Sequence, residues 1–142
     1  MWSRKFLKTG SVILVLCALA HLAGHILSMD APPRNEAEKR LVDAMTGYVI
    51  PDLGVTMQSL QDGFSLSFSV FCAGFGLLVF TAAGSAEAAL RRRFALLAAL
   101  SLIALSALGW RYWFLAPNSF LTAAALSYSA AWVAARREPL LR

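Results

Sequence analysis

The chain has 142 residues, enough for one packed unit and too few for two ordinary domains. Apolar residues make up 58% of it and charged residues only 15%, with a mean hydropathy of +0.62, so it lacks the charged surface of a water-soluble enzyme. The net charge of +5 does not point to nucleic acid, because the basic residues sit at the edges of apolar stretches rather than in one patch.

Four stretches contain no Asp, Glu, Lys or Arg: 9–29, 63–86, 94–110 and 112–135. A helix of about 20 apolar residues spans the hydrocarbon core of a bilayer. The expected architecture is therefore all-α, an integral membrane four-helix bundle of up-down-up-down topology and a single domain over 1–142. Its spans are placed at about 9–29, 57–83, 94–113 and 118–135.

Arg4, Lys5 and Lys8 precede the first span, Arg91, Arg92 and Arg93 separate the second from the third, and Arg136, Arg137 and Arg142 follow the fourth. Only Arg34, Lys39, Arg40 and Arg111 fall on the other side, with Asp30, Glu36, Glu38, Asp43, Asp52 and Asp62. Basic residues are retained on the cytoplasmic face, which predicts an inner-membrane protein with both termini cytoplasmic and Arg91 to Arg93 as topology anchors against anionic lipid. A cleavable signal peptide ending at Ala18-Leu19-Ala20 is the weaker alternative, since the apolar run continues to Met29 and cleavage would leave an odd number of spans.

Between the first two spans, Asp30-Ala31-Pro32-Pro33 is a stop signal. Ala37, Leu41, Met45 and Tyr48 then recur at helical spacing among charged residues, predicting a short amphipathic helix in the first extracytoplasmic loop, which Pro51 and Gly54 terminate.

Polar side chains are costly against lipid and turn inward. Gly10, Cys17, His21, Gly24, His25 and Ser28 fall on one stripe of the first span. Gln58, Asp62, Ser65, Ser69, Cys72 and Gly76 do so on the second, and Asn118, Thr122, Ala125 and Ser129 on the fourth. Val12, Leu16 and Leu19 then face lipid. Close packing through small residues accounts for most of these stripes.

His21 and His25 are the only histidines. Three uses are open to them: neutral rings hydrogen-bonded across the bundle, a ligand pocket, or metal or haem ligation. By depth Cys72 lies near His21, so His21, His25 and Cys72 form a thin candidate set for zinc or copper. Cys17 and Cys72 read first as reduced, buried thiols. Asp62 reads first as a helix cap and Arg111 as a snorkelling residue in the belt Trp110-Arg111-Tyr112-Trp113-Phe114. The candidate ligand site gathers His21, His25, Asp62, Ser65, Arg111 and Asn118 or Thr122 at one end of the bundle, roofed by 110–114 and 37–48. No catalytic triad, phosphate loop or dinucleotide fingerprint is present in the sequence.

The order of His21 to His25, the run Gly63-Phe64-Ser65-Leu66-Ser67-Phe68-Ser69 and the short Arg-rich middle loop resembles small bacterial four-span integral membrane proteins. More distantly it resembles the DoxX-like membrane proteins, some of whose relatives are tied to quinone-linked sulfur redox chemistry. The resemblance implies the fold and transfers no catalytic residue.

Two functions follow as expectations. The first is a non-enzymatic membrane protein that binds a lipid, quinone-like or other hydrophobic ligand, or serves as an accessory subunit beside a membrane partner or a second copy of itself. The second is a redox, metal or haem protein using His21 and His25.

Overall fold

The computed structural model describes residues 2–29 and 31–138. Asp30 of the stop signal and Arg142 of the basic C-terminal group lie outside the described residues. The described chain is all-helical: α1 (Trp2–Met29), α2 (Glu36–Gly47), α3 (Met57–Ala83), α4 (Ala88–Tyr112) and α5 (Leu115–Arg136). Three of them, α1, α3 and α4, are long and apolar enough to cross a membrane. The fourth long helix, α5, is more polar because it carries Asn118, Ser119, Thr122, Ser127, Tyr128 and Ser129.

Several helices begin earlier than their apolar stretches. α1 starts at Trp2 and α4 at Ala88, each running through a basic cluster. Charge marks where a helix leaves lipid, whereas the helix itself needs only its backbone hydrogen bonds, and Lys and Arg are good helix formers. α5 opens at Leu115 with Pro117 in its first turn, where a missing backbone N–H costs nothing.

The amphipathic helix is present as α2. Asn35 caps it, its Oδ1 accepting from the Glu38 N–H at 2.9 Å, while Glu38 Oε2 accepts from the Arg34 N–H at 2.7 Å. α2 touches only α3 and buries none of its residues. The chain then reverses through a tight loop closed by an isolated Val49–Thr56 bridge, with Asp52 and Gly54 at φ values of 69° and 68°. Asp and Gly are among the residues that tolerate this left-handed region. Thr56 caps α3 by accepting from the Ser59 N–H.

α1 packs along both α3 and α5, and α4 packs along α5; α3 and α4 share little surface despite their short link. The contacts run through small residues. Gly76 of α3 lies on α1, where an added Cβ would stand 3.0 Å from the Ser11 carbonyl oxygen. Gly10 of α1 receives the fully buried ring of Tyr128 from α5, whose hydroxyl lies 3.2 Å from Ser11 Oγ. Ala95, Ala98 and Ala99 of α4 meet Leu121, Ala124, Ala125 and Ala131 of α5 in the same core. Val12, Leu16 and Leu19 point outward, as their spacing predicts.

One end of the assembly gathers the start of α1, the α3–α4 turn and the end of α5, and we refer to it as the basic end. Arg91 ties it together. Its guanidinium donates to the Ser85 and Ala86 carbonyls at 2.7 and 2.9 Å and pairs with Glu138 Oε2 at 3.2 Å. Ser3 Oγ donates to Glu138 Oε1 at 2.6 Å, and Arg4 donates to the Ser85 carbonyl at 2.9 Å. Arg91 is 1% exposed, so it is a buried cross-link rather than the lipid-facing anchor expected of the whole Arg91 to Arg93 run. Its neighbours in sequence point away because a helix turns about 100° per residue.

Burial of Glu138 works against its charge, but the hydrogen bonds from Ser3 and Arg91 outweigh this and hold its carboxyl below the usual glutamate value. A depressed carboxylate pKa stabilises the fold above the unfolded-state value, and that contribution disappears as pH falls through the folded one. The melting temperature in detergent should therefore fall on acidification below the ordinary carboxylate range, and Glu138→Gln should flatten that part of the profile.

Packing generates a second expectation. Gly10→Ala should destabilise by about 1–3 kcal/mol, because the new Cβ would stand 2.7 Å from the fully buried ring of Tyr128. Gly74→Ala, which meets nothing within 4 Å, should leave the melting temperature unchanged or slightly raised.

Candidate functional site

All the buried residues of α1 lie between Ser3 and Ala18, and those of α3 between Ser69 and Ala83. Beyond these limits, towards the end that carries α2, neither helix has a fully buried residue and a gap opens beside them. The gap is a partly enclosed cavity of about 440 Å³ lined by Cys17, Ala20, His21, Gly24, His25 and Ser28 of α1, Gln61 and Ser65 of α3, and Phe114, Ala116, Pro117 and Phe120 at the start of α5. An adjoining slot of about 290 Å³ shares His21, Gln61, Ser65, Phe114 and Pro117 and adds Phe64, Phe68 and Trp113.

The two chambers meet at His21. Its Nε2 lies 3.0 Å from Ser65 Oγ, joining α1 to α3, and its ring takes the edge of Phe68 at a centroid distance of 4.9 Å. Phe68 in turn meets Trp113 edge to face at 5.1 Å. The aromatic chain thus links α1 and α3 to the two-residue turn between α4 and α5. His25, one helical turn along from His21, lines the larger chamber, and its Nε2 is shielded from solvent without a hydrogen-bond partner among the described residues. Shielded polar atoms of this kind are costly unless something bonds them.

The structure brings together His21, His25 and Ser65 of the sequence-derived site and leaves the others apart. Asp62 lines neither chamber and accepts from Gln58 Nε2 at 2.9 Å within α3. Arg111 is exposed, its guanidinium 5.4 Å over the Tyr112 ring, and makes no pair with Asp62. Asn118 is fully buried between α4 and α5 against Gly109, where an added Cβ would collide with its amide. Thr122 bonds Ser106 Oγ at 2.7 Å and accepts from Trp110 Nε1 at 3.1 Å. Asn118 and Thr122 therefore sit on the face that α5 turns to α4, not on the one that borders the chambers.

The roof also differs from expectation. Trp113 and Phe114 form part of the walls, whereas no residue of α2 lines either chamber. The metal set of His21, His25 and Cys72 does not assemble: among the described residues no group of three His, Cys, Asp or Glu is placed to hold a metal ion. Cys72 instead sits fully buried in the core with Cys17, and both thiols are free.

Gln61, Phe68, Pro117 and Phe120 escaped the sequence reading. Gln61 stands one turn before Ser65, a spacing that would have included it had the stripe been centred one residue earlier. The aromatic and proline walls carry no polar signal. The lining holds no Asp, Glu, Lys or Arg, so the cavity offers hydrogen-bonding groups in an uncharged, largely aromatic enclosure.

Comparison with protein families, curated proteins and solved structures yields no match, so the site's own chemistry must carry the functional argument.

Proposed function

We propose that the protein is a non-enzymatic, four-span membrane protein that binds an amphipathic small molecule, with a quinone-like or lipid-like head and an apolar tail, in the cavity at its α2 end. The gathering of His21, Ser65 and His25, whose shielded Nε2 has no partner among the described residues, along one chamber is the observation that carries this reading. The larger chamber supplies polar groups for a head, and the slot between Phe64, Phe68 and Trp113 supplies an apolar bed for a tail. Pockets with apolar walls and a few convergent polar groups are typical of small-molecule sites.

In this reading α5 crosses the bilayer with α1, α3 and α4. Its polar side chains are no obstacle, because Asn118 and Tyr128 are fully buried against neighbouring helices rather than presented to lipid. The basic end faces the cytoplasm in an inner bacterial membrane, both termini with it, and α2 lies on the opposite surface with Leu41 and Val42 uncovered by the rest of the chain. A membrane-protein partner or a second copy has room on the exposed apolar faces of α3 and α4.

A benzoquinone carrying a decyl tail is a suitable probe. It should bind the purified protein, and His25→Ala should weaken binding about tenfold, in keeping with the loss of one buried hydrogen bond. Gly24→Trp should abolish binding by filling the chamber, while Arg111→Ala should leave it intact. Equal binding by all these variants, or stoichiometric haem or metal in the protein as isolated, would overturn the proposal.

Topology is tested separately by placing a single cysteine at Ala37 in a Cys17→Ser, Cys72→Ser background. An impermeant maleimide should label it from outside the cell, and labelling only after the cytoplasmic face is opened would reverse the orientation.

A further inference from the structure

The basic end carries two grooves that the cavity at the other end does not involve. One, of about 620 Å³, runs between α1 and α5 with Trp2, Phe6 and Val133 among its walls and Arg137 at its border. The other, of about 290 Å³, runs between α4 and α5 with Leu96 and Trp132 on its walls and Arg92 and Arg93 at its border. The two therefore flank the final turns of α5. Arg136 adds a further cation between them, its guanidinium 5.0 Å over the Trp132 ring.

Cations outnumber carboxylates at this end. Glu138 borders the first groove, but its two carboxylate oxygens are taken by Ser3 and Arg91. Arg92, Arg93 and Arg137 form no ion pair among the described residues. Each groove is thus apolar along the helix, edged by an indole and cationic at its border, which matches the build of a membrane lipid with its acyl chain along the protein and its phosphate at the interface. A zwitterionic head brings an ammonium group that offsets the attraction of its phosphate to this cationic border, whereas an anionic phospholipid carries no such offset. The apolar walls below the arginines favour a lipid over a free phosphate ion, which would leave them empty.

We propose that the grooves on either side of the end of α5 are binding sites for anionic phospholipid, one held by Arg137 and the other by Arg92 and Arg93. The sites stand independently of the ligand cavity, sharing no residue with it.

The test is native mass spectrometry of the full chain released from detergent containing equimolar phosphatidylglycerol and phosphatidylcholine. The wild-type protein should retain phosphatidylglycerol in preference by on the order of tenfold. Arg137→Ala, and the double change Arg92→Ala with Arg93→Ala, should each lower that preference severalfold, and Arg137→Lys should largely restore it. None of these residues belongs to the buried Arg91 cluster, so melting temperatures should stay level. Arg111→Ala, at the far end, should leave the preference untouched. Equal retention of both lipids would overturn the proposal. So would a loss in Arg111→Ala matching that in Arg137→Ala, which would mean general attraction to a basic protein, or displacement of the lipid by millimolar inorganic phosphate, which would mean that the grooves contribute nothing.

Discussion

The ring of Tyr128 lying on Gly10 is the contact on which the arrangement of the long helices depends. Tyr128 is fully buried on α5, Gly10 has no side chain to hold it off, and Ser11 beside it meets the phenol hydroxyl while its backbone carbonyl approaches Gly76 of α3. One turn of α1 therefore sets the spacing to two helices at once. In lipid there is little hydrophobic gain from bringing apolar helices together, so close van der Waals packing and internal hydrogen bonds have to supply the association. Gly10, Ser11 and Gly76 supply both.

The cavity follows from where that packing stops. Past Ala18 on α1 and before Ser69 on α3 the buried positions end, and the side chains there are His21, His25, Gln61 and Ser65 together with aromatic rings. The imidazole, amide and aromatic side chains among them do not repeat the Gly and Ala contacts of the packed part. Helices joined at the basic end, where Arg91 and Glu138 tie three chain segments, can leave a gap at the other without coming apart. A close-packed half and an open half thus lie along the same pair of helices.

The sequence revealed that division only in part. Apolar runs and the placement of Arg and Lys located the long helices and the short amphipathic one, because length and charge are one-dimensional properties. The stripe His21, Gly24, His25 and Ser28 was legible for a similar reason, since fixed helical geometry places those residues on one face. Helical spacing puts Asp62 and Asn118 on inward stripes, and depth groups both with Arg111 at one end of the bundle. Depth follows from rise per residue, but which neighbour a face meets depends on how each helix is rotated and on α5 choosing α4 as well as α1. Asn118 shows this well: it lies at the right level and is turned to Gly109. Arg91 was hidden by its company, since nothing in the triplet Arg91-Arg92-Arg93 distinguishes the member that is buried.

The connection between α4 and α5 consists of Trp113 and Phe114 alone, and both residues are also walls of the chambers beside His21. A hairpin this short has no slack, so its indole is held at a fixed station against the edge of Phe68. Any molecule that enters the slot must stack on that indole or push it aside, and either event alters the polarity around it. The protein consequently carries its own optical reporter at the mouth of the cavity, placed there by the economy of the turn.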